Sequence, residues 1–204
     1  MKTLATLLAA IAALSDNAWA QGTIDFHNPN TFPLKVLDMR DGSVTTLGAP
    51  GSPLGPGSIR VGLFIGTGTS FASLTMVGMT TNSSSALPLF VGTFNGGIPY
   101  TIAGHPQNEV VNFAFAAWSI SSGALTYAEA LASGVASAGN STIGVGYTLA
   151  GGAIPPAATF GTPTTAQPWL IPGFFIYTRT VPEPATLVLG LAGAAALWMF
   201  RPRK

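Results

Sequence analysis

Cysteine is absent from the 204-residue chain, which excludes disulfides, thiol catalysis and thiolate metal sites. Charge is scarce: Asp, Glu, Lys and Arg make up 7% of residues, against about a quarter in an ordinary globular domain. No cluster of Lys and Arg is available to neutralise phosphates, so nucleic acid is excluded as a partner. Two histidines, His27 and His105, bound what acid and base catalysis has to work with near neutral pH. A G-x-S-x-G nucleophile elbow is also missing.

The chain is instead rich in turn formers, with 25 Gly and 16 Pro. Between the two ends, residues 21–180 carry four cations (Lys35, Arg40, Arg60, Arg179) and five anions (Asp25, Asp38, Asp41, Glu109, Glu129). The positive total of the whole chain therefore comes from its ends. About 160 residues suffice to bury one core, and a single domain is expected there.

The ends carry the strongest patterns. Lys2 is followed by an apolar stretch over residues 4–14 and by the small-x-small site Ala18, Trp19, Ala20. This reads as a secretory signal peptide over residues 1–20, cut by signal peptidase so that Gln21 becomes the mature start. At the other end stand Val181, Pro182, Glu183 and Pro184, an uncharged run at residues 185–200, and then Arg201, Pro202, Arg203 and Lys204. Sixteen helical residues span roughly 24 Å, slightly short of a bilayer core of about 30 Å. Trp198 and Phe200 lie where an aromatic belt would sit, and Arg201, Arg203 and Lys204 act as a membrane stop that keeps the terminus cytoplasmic. A leader and a stop-transfer tail together place residues 21–180 outside the membrane.

The order motif, short helix, basic terminus over residues 181–204 resembles the PEP-CTERM sorting signal of Gram-negative bacteria, also catalogued as the ice-binding protein C-terminal domain. Pro202 interrupts the usual run of Arg. The resemblance implies that an exosortase, a membrane transpeptidase-like protease, reads Val181, Pro182, Glu183 and Pro184, cuts there, and passes the protein to the cell surface or extracellular matrix. Proline on either side of Glu183 fixes φ and biases its neighbours towards extended backbone, the conformation a protease needs. The catalogue name does not carry an ice-binding function to this chain: Thr67 and Thr69, and Thr162, Thr164 and Thr165, are isolated patches without a repeat period.

The middle reads as all-β. Residues 22–28 alternate, with Ile24 and Phe26 on one face and Thr23, Asp25 and His27 on the other. Strands over 34–40 and 43–47 flank Asp41 and Gly42, a hairpin signal. Residues 48–58 form an open loop, and 59–65 a strand covered on both faces. A strand over 71–79 and a turn at 82–85 follow. Strands over 89–94 and 98–103 flank Asn95, Gly96 and Gly97, a second hairpin signal. Residues 109–120 are the core strand, with Val111, Phe113 and Phe115 on one face and Asn112, Ala114 and Ala116 on the other before Trp118. A helix is expected over 126–132, ended by Ser133 and Gly134, and strands over 142–149 and 174–178. About ten short strands imply an antiparallel β-sandwich, jelly-roll-like, with a signal helix before it and a transmembrane helix at 185–200 after it.

The opening Gly22, Thr23, Ile24, Asp25, Phe26, the strand from Val111 to Trp118 leading to Tyr127, Ala130 and Gly134, and the pair Pro155 and Pro156 also resemble the secreted β-rich domains that precede such tails in verrucomicrobial and planctomycete-like bacteria. That resemblance implies no activity. His27 lies two residues from Asp25 and His105 sits in a loop, but neither has a spacing that favours a triad or, with Asp25, a zinc site; Asp38 and Asp41 lack the ligand spacing of a calcium loop. No catalytic residue, metal or cofactor is therefore expected. Asn82 and Asn140 head sequons that a bacterial source leaves unused. The function expected is that of a non-enzymatic surface or matrix protein, with an exopolysaccharide-binding module as the alternative and a secreted hydrolase as the third reading. Trp118, Tyr100, Trp169 and Tyr177 are the aromatic candidates for stacking on a glycan.

Overall fold

The computed structural model describes residues 21–134, 136–151 and 154–178. It is all-β, with ten strands and one α-helix: β1 (Gln21–Asn28), β2 (Lys35–Asp38), β3 (Val44–Thr46), β4 (Ile59–Gly66), β5 (Thr75–Thr81), β6 (Phe94–Pro106), β7 (Val110–Ser119), α1 (Tyr127–Ser133), β8 (Ala138–Asn140), β9 (Gly144–Thr148) and β10 (Phe175–Thr178). Eight strands form one sheet in the order β3-β2-β10-β8-β7-β4-β5, with β9 also paired to β7. β1 and β6 form a separate two-stranded antiparallel ribbon.

The alternation of β7 explains the layering. Its Val111, Phe113 and Phe115 are buried in the larger core beside Val61, Leu63 and Ile65 of β4, and Ile24, Phe26, Phe94 and Ile102 of the ribbon close that core from the other side. Phe26 stacks on Phe115 with ring centroids 5.9 Å apart, and Phe160, from the long segment before β10, stacks on Phe115 at 4.9 Å. At about 1.5–3 kcal/mol for each large apolar side chain removed from water, this layer dominates stability. On the other face, Ala114, Ala116 and Trp118 pack against Phe64, Tyr127 and Ala130 in a second, smaller core. Alanines on β7 let the helix approach closely, so the small residues sit behind a helix and not behind another sheet.

Seven residues are too few for a helix to persist alone. α1 is held by Thr126, whose hydroxyl accepts from the Glu129 amide while the Glu129 carboxylate accepts from the Thr126 amide. Such a capping box contributes about 1 kcal/mol. Gly134 ends the helix in the left-handed conformation at φ 69°.

Several expectations are corrected. β2 and β10 pair in parallel, Phe175 opposite Lys35 and Thr178 opposite Asp38, so the sheet is mixed. The division into eight and two strands also departs from a jelly-roll-like arrangement. Asn95, Gly96 and Gly97 do not turn a hairpin: β6 continues through them against β1, with Asn95 opposite His27 and Gly97 opposite Phe26, and the register shifts between them so that Gly96 is the extra residue. At Gly96 the buried Phe26 ring occupies the space that a β-carbon would take, and Gly97 has a φ of 133°, which glycine adopts readily. The expected strand over 89–94 is a series of turns between Leu87 and Thr93, and the strand over 71–79 begins as a 3-10 turn, Phe71–Ser73. By contrast, β2 and β3 form the expected hairpin, with Gly42 at φ 73° and the Asp41 carboxylate accepting from the Ser43 amide at 2.8 Å.

Among the described residues no helix is long and apolar enough to cross a membrane. The expected signal helix over 1–20 and membrane helix over 185–200 lie outside those residues.

Candidate functional site

Of the sequence-derived site residues, only Gln21 is described, as the first residue of β1 and exposed. Ala18, Ala20, Val181, Pro182, Glu183, Pro184, Arg201, Arg203 and Lys204 lie outside the described residues. Among the described residues, three places hold chemistry.

The first is the pair Asp25 and His27 on β1. Asp25 is 4% exposed, although period-two alternation placed it on a polar outer face. The cause is the segment before β10, which folds back over β1: the Thr159 hydroxyl donates to the Asp25 carbonyl at 3.0 Å. Tyr147 Oη donates to the Ala157 carbonyl at 2.8 Å, and Trp169 Nε1 to the Ala158 carbonyl at 3.3 Å. Under this cover, burial raises the Asp25 carboxyl above its ordinary range, opposed by its close contact with His27 Nδ1. Burial likewise pushes the Tyr147 phenol up. A hydrolase would need a nucleophile on the far nitrogen of His27, and the structure gives His27 a hydrogen bond to Asp25 alone. The pair lies within β1, and the bond from β1 to its cover is made by the Asp25 backbone carbonyl.

The second is His105 and Glu109, where Nδ1 and Oε2 are 3.0 Å apart. They clip the turn between β6 and β7, in which Asn108 takes φ 64°, a conformation Asn tolerates better than most residues. His105 and Asp25 belong to different sites, and no group of three or more His, Cys, Asp and Glu among the described residues is placed to hold a metal. Asp38 lies at the end of β2, with Arg40 Nε at 3.0 Å from Oδ1 and the Thr178 hydroxyl at 3.2 Å. The Arg40 guanidinium holds its carboxyl well below the usual range.

The third is a groove of about 480 Å³ between the end of β5, the start of β6 and the turns joining them. Thr80, Thr81, Ser84, Thr93 and Asn95 line it together with Phe90. Its frame is well held. Asn82, 2% exposed, accepts from the Ile59 amide at 2.9 Å, and the Ser83 amide donates to the Thr93 carbonyl at 2.8 Å. Thr93 Oγ1 donates to the Phe90 carbonyl at 2.8 Å, and Thr80 Oγ1 to the Asn95 carbonyl at 3.0 Å. Asn82 is thus a wall of the groove and not an open glycan acceptor. Asn140, the other sequon residue, is engaged through Oδ1 by the Tyr127 hydroxyl at 3.1 Å.

The aromatic candidates separate. Trp118 is fully buried and donates to the Ala124 carbonyl at 3.2 Å. Tyr100 is half-buried and donates to the Val77 carbonyl at 3.0 Å. Trp169 is half-buried against Tyr147. Of the four, Tyr177 alone is exposed, at 45%. Phe90 is also exposed, at 48%; Leu89, Phe90 and Val91 look like a strand in sequence, and Pro88 and Gly92 on either side are the turn signals that point the other way.

No family model, no curated protein and no solved structure matches this chain.

Proposed function

We propose that the chain is an exported, non-enzymatic protein of the cell surface or extracellular matrix. Signal peptidase removes residues 1–20 after Ala20. The helix over 185–200 then holds the chain in the inner membrane, with Arg201, Arg203 and Lys204 as the stop, until an exosortase reads Val181, Pro182, Glu183 and Pro184. Residues 21–180 are the β-sandwich that is delivered. The observation carrying this reading is the order of proline-flanked Glu183, apolar run and basic terminus in the sequence. The all-β fold of the described residues is in keeping with an exported domain between the two signals. A surface with few charges and two histidines already engaged by carboxylates supports a role in binding or structure over catalysis. Glu183 acts as a recognition element for the processing enzyme. Replacing Pro182 and Glu183 together by Ala is expected to leave the full-length chain in the membrane fraction of its host, read by immunoblot; normal release of that variant would refute the reading.

A further inference from the structure

We infer that the groove between β5 and β6 binds an uncharged polysaccharide, with Phe90 stacking on a sugar face and the Asn95 amide, Thr81 and Ser84 bonding to its hydroxyls. Size comes first. At about 480 Å³ the groove falls within the range of roughly 300–1,000 Å³ typical of small-ligand clefts. Its lining contains no charged side chain, so a phosphate, carboxylate or ammonium ligand would lose its water and gain no countercharge.

The polar groups that remain free fit hydroxyls. Asn95 Oδ1 is occupied by the Gly97 amide at 2.9 Å, which fixes the side chain and leaves its NH2 group as donor, without a protein acceptor. The hydroxyls of Thr81 and Ser84, both exposed, likewise have no protein partner, and each can donate and accept. A sugar hydroxyl, itself donor and acceptor, matches this set; a purely apolar ligand would leave it unpaired at a cost. Phe90 then supplies the apolar half of recognition. Phe90 lines the groove and is 48% exposed, and aromatic side chains beside a few placed polar groups are the usual lining of a small-ligand cleft. The backbone bonds through Ser83 and Thr93 hold the walls before any ligand arrives, which lowers the ordering cost of binding. The choice of a polymer outside the cell rests on the export reading above; the groove chemistry does not.

The test uses the purified full-length chain in a detergent without a sugar headgroup, titrated by calorimetry with cellohexaose, mannohexaose and xylohexaose, and with hexagalacturonate as an anionic control. At least one neutral hexaose binds and hexagalacturonate does not. Phe90→Ala weakens binding by about tenfold or more, as loss of a central aromatic anchor does, and Asn95→Ala weakens it several-fold. Phe90→Leu, which keeps apolar volume but loses the flat ring, is also weakened. Leu125→Ala, exposed and outside the groove lining, leaves binding unchanged, and unaltered melting temperatures confirm that the variants fold. Absence of binding by all three neutral hexaoses, equal binding of hexagalacturonate, or wild-type affinity in Phe90→Ala would overturn the inference. A chain that binds the hexaose but is retained unprocessed in the cytoplasm would refute export and leave the groove standing; a processed, released chain without binding would do the reverse.

Discussion

Asn28 ties the groove to the core, and its replacement by Ala gives a measurable consequence. The residue is 2% exposed at the end of β1. Its Nδ2 donates to the Phe32 carbonyl at 3.0 Å and the Gly92 carbonyl at 2.9 Å, and its Oδ1 accepts from the Phe94 amide at 2.6 Å. The three losses are unequal. The Gly92 carbonyl keeps the Leu34 amide at 2.8 Å, and Phe32 is half-exposed, so water replaces much of what its carbonyl loses. Phe94 is 2% exposed, and its orphaned amide bears a desolvation cost of about 1–3 kcal/mol. With about 1 kcal/mol for the other two together, the total is about 3 kcal/mol. For a domain of this size each kcal/mol lowers Tm by about 2–4 °C, so Asn28→Ala should melt roughly 6–12 °C below wild type by circular dichroism. Hydrogen exchange at Phe94 should accelerate with it. A loss under about 1 kcal/mol would mean that water takes over these bonds, and that the side chain is not what holds the turns carrying Phe90.

Two further predictions use other parts of the fold. Gly96→Ala sets a β-carbon against the fully buried Phe26 ring, and overpacking of this kind costs about 1–3 kcal/mol; an unchanged urea midpoint would show that the ring can move aside. The pH dependence follows from two carboxyls with opposite signs. Burial raises Asp25, so the stability it contributes is present below its ordinary value of 3.8 and is lost as pH rises through its folded value. Asp38 is held low, so its contribution is present above 3.8 and is lost as pH falls through its folded value. Urea midpoints above pH 4 should therefore decline less steeply in Asp25→Asn than in wild type, and a parallel profile would refute the assignment.

Much of this could be read from residue order where local chemistry decides. Asp41 and Gly42 make a turn by themselves, and the alternation of β7 identifies both of its faces. The same local signals mislead where a distant group decides. Gly96 and Gly97 look like a turn, yet the small size of Gly96 serves Phe26 on the neighbouring strand, and Gly97 takes a φ of 133° within β6. Gly139 weakens any strand pattern in β8, yet it sits where a β-carbon would overlap the Phe175 carbonyl of β10. The parallel pairing of β2 with β10 joins segments about 140 residues apart, and no local pattern encodes it. Asp25 looks solvent-facing because the cover supplied by Thr159 lies far along the chain. The groove is illegible for a related reason: its walls come from β5, β6 and the turns between them, and the apolar run Leu89, Phe90, Val91 has the look of a strand. The proposed sorting signal is a contiguous pattern, so its reading rests on the sequence alone.

The most direct test of the sorting proposal is the intact mass of the protein recovered from its native host, measured separately in membrane and medium. A released species that begins at Gln21 and ends near Glu183 is the expected result. A species that retains Lys204 in the membrane, with none released, would contradict processing at the motif and make the tail a permanent anchor.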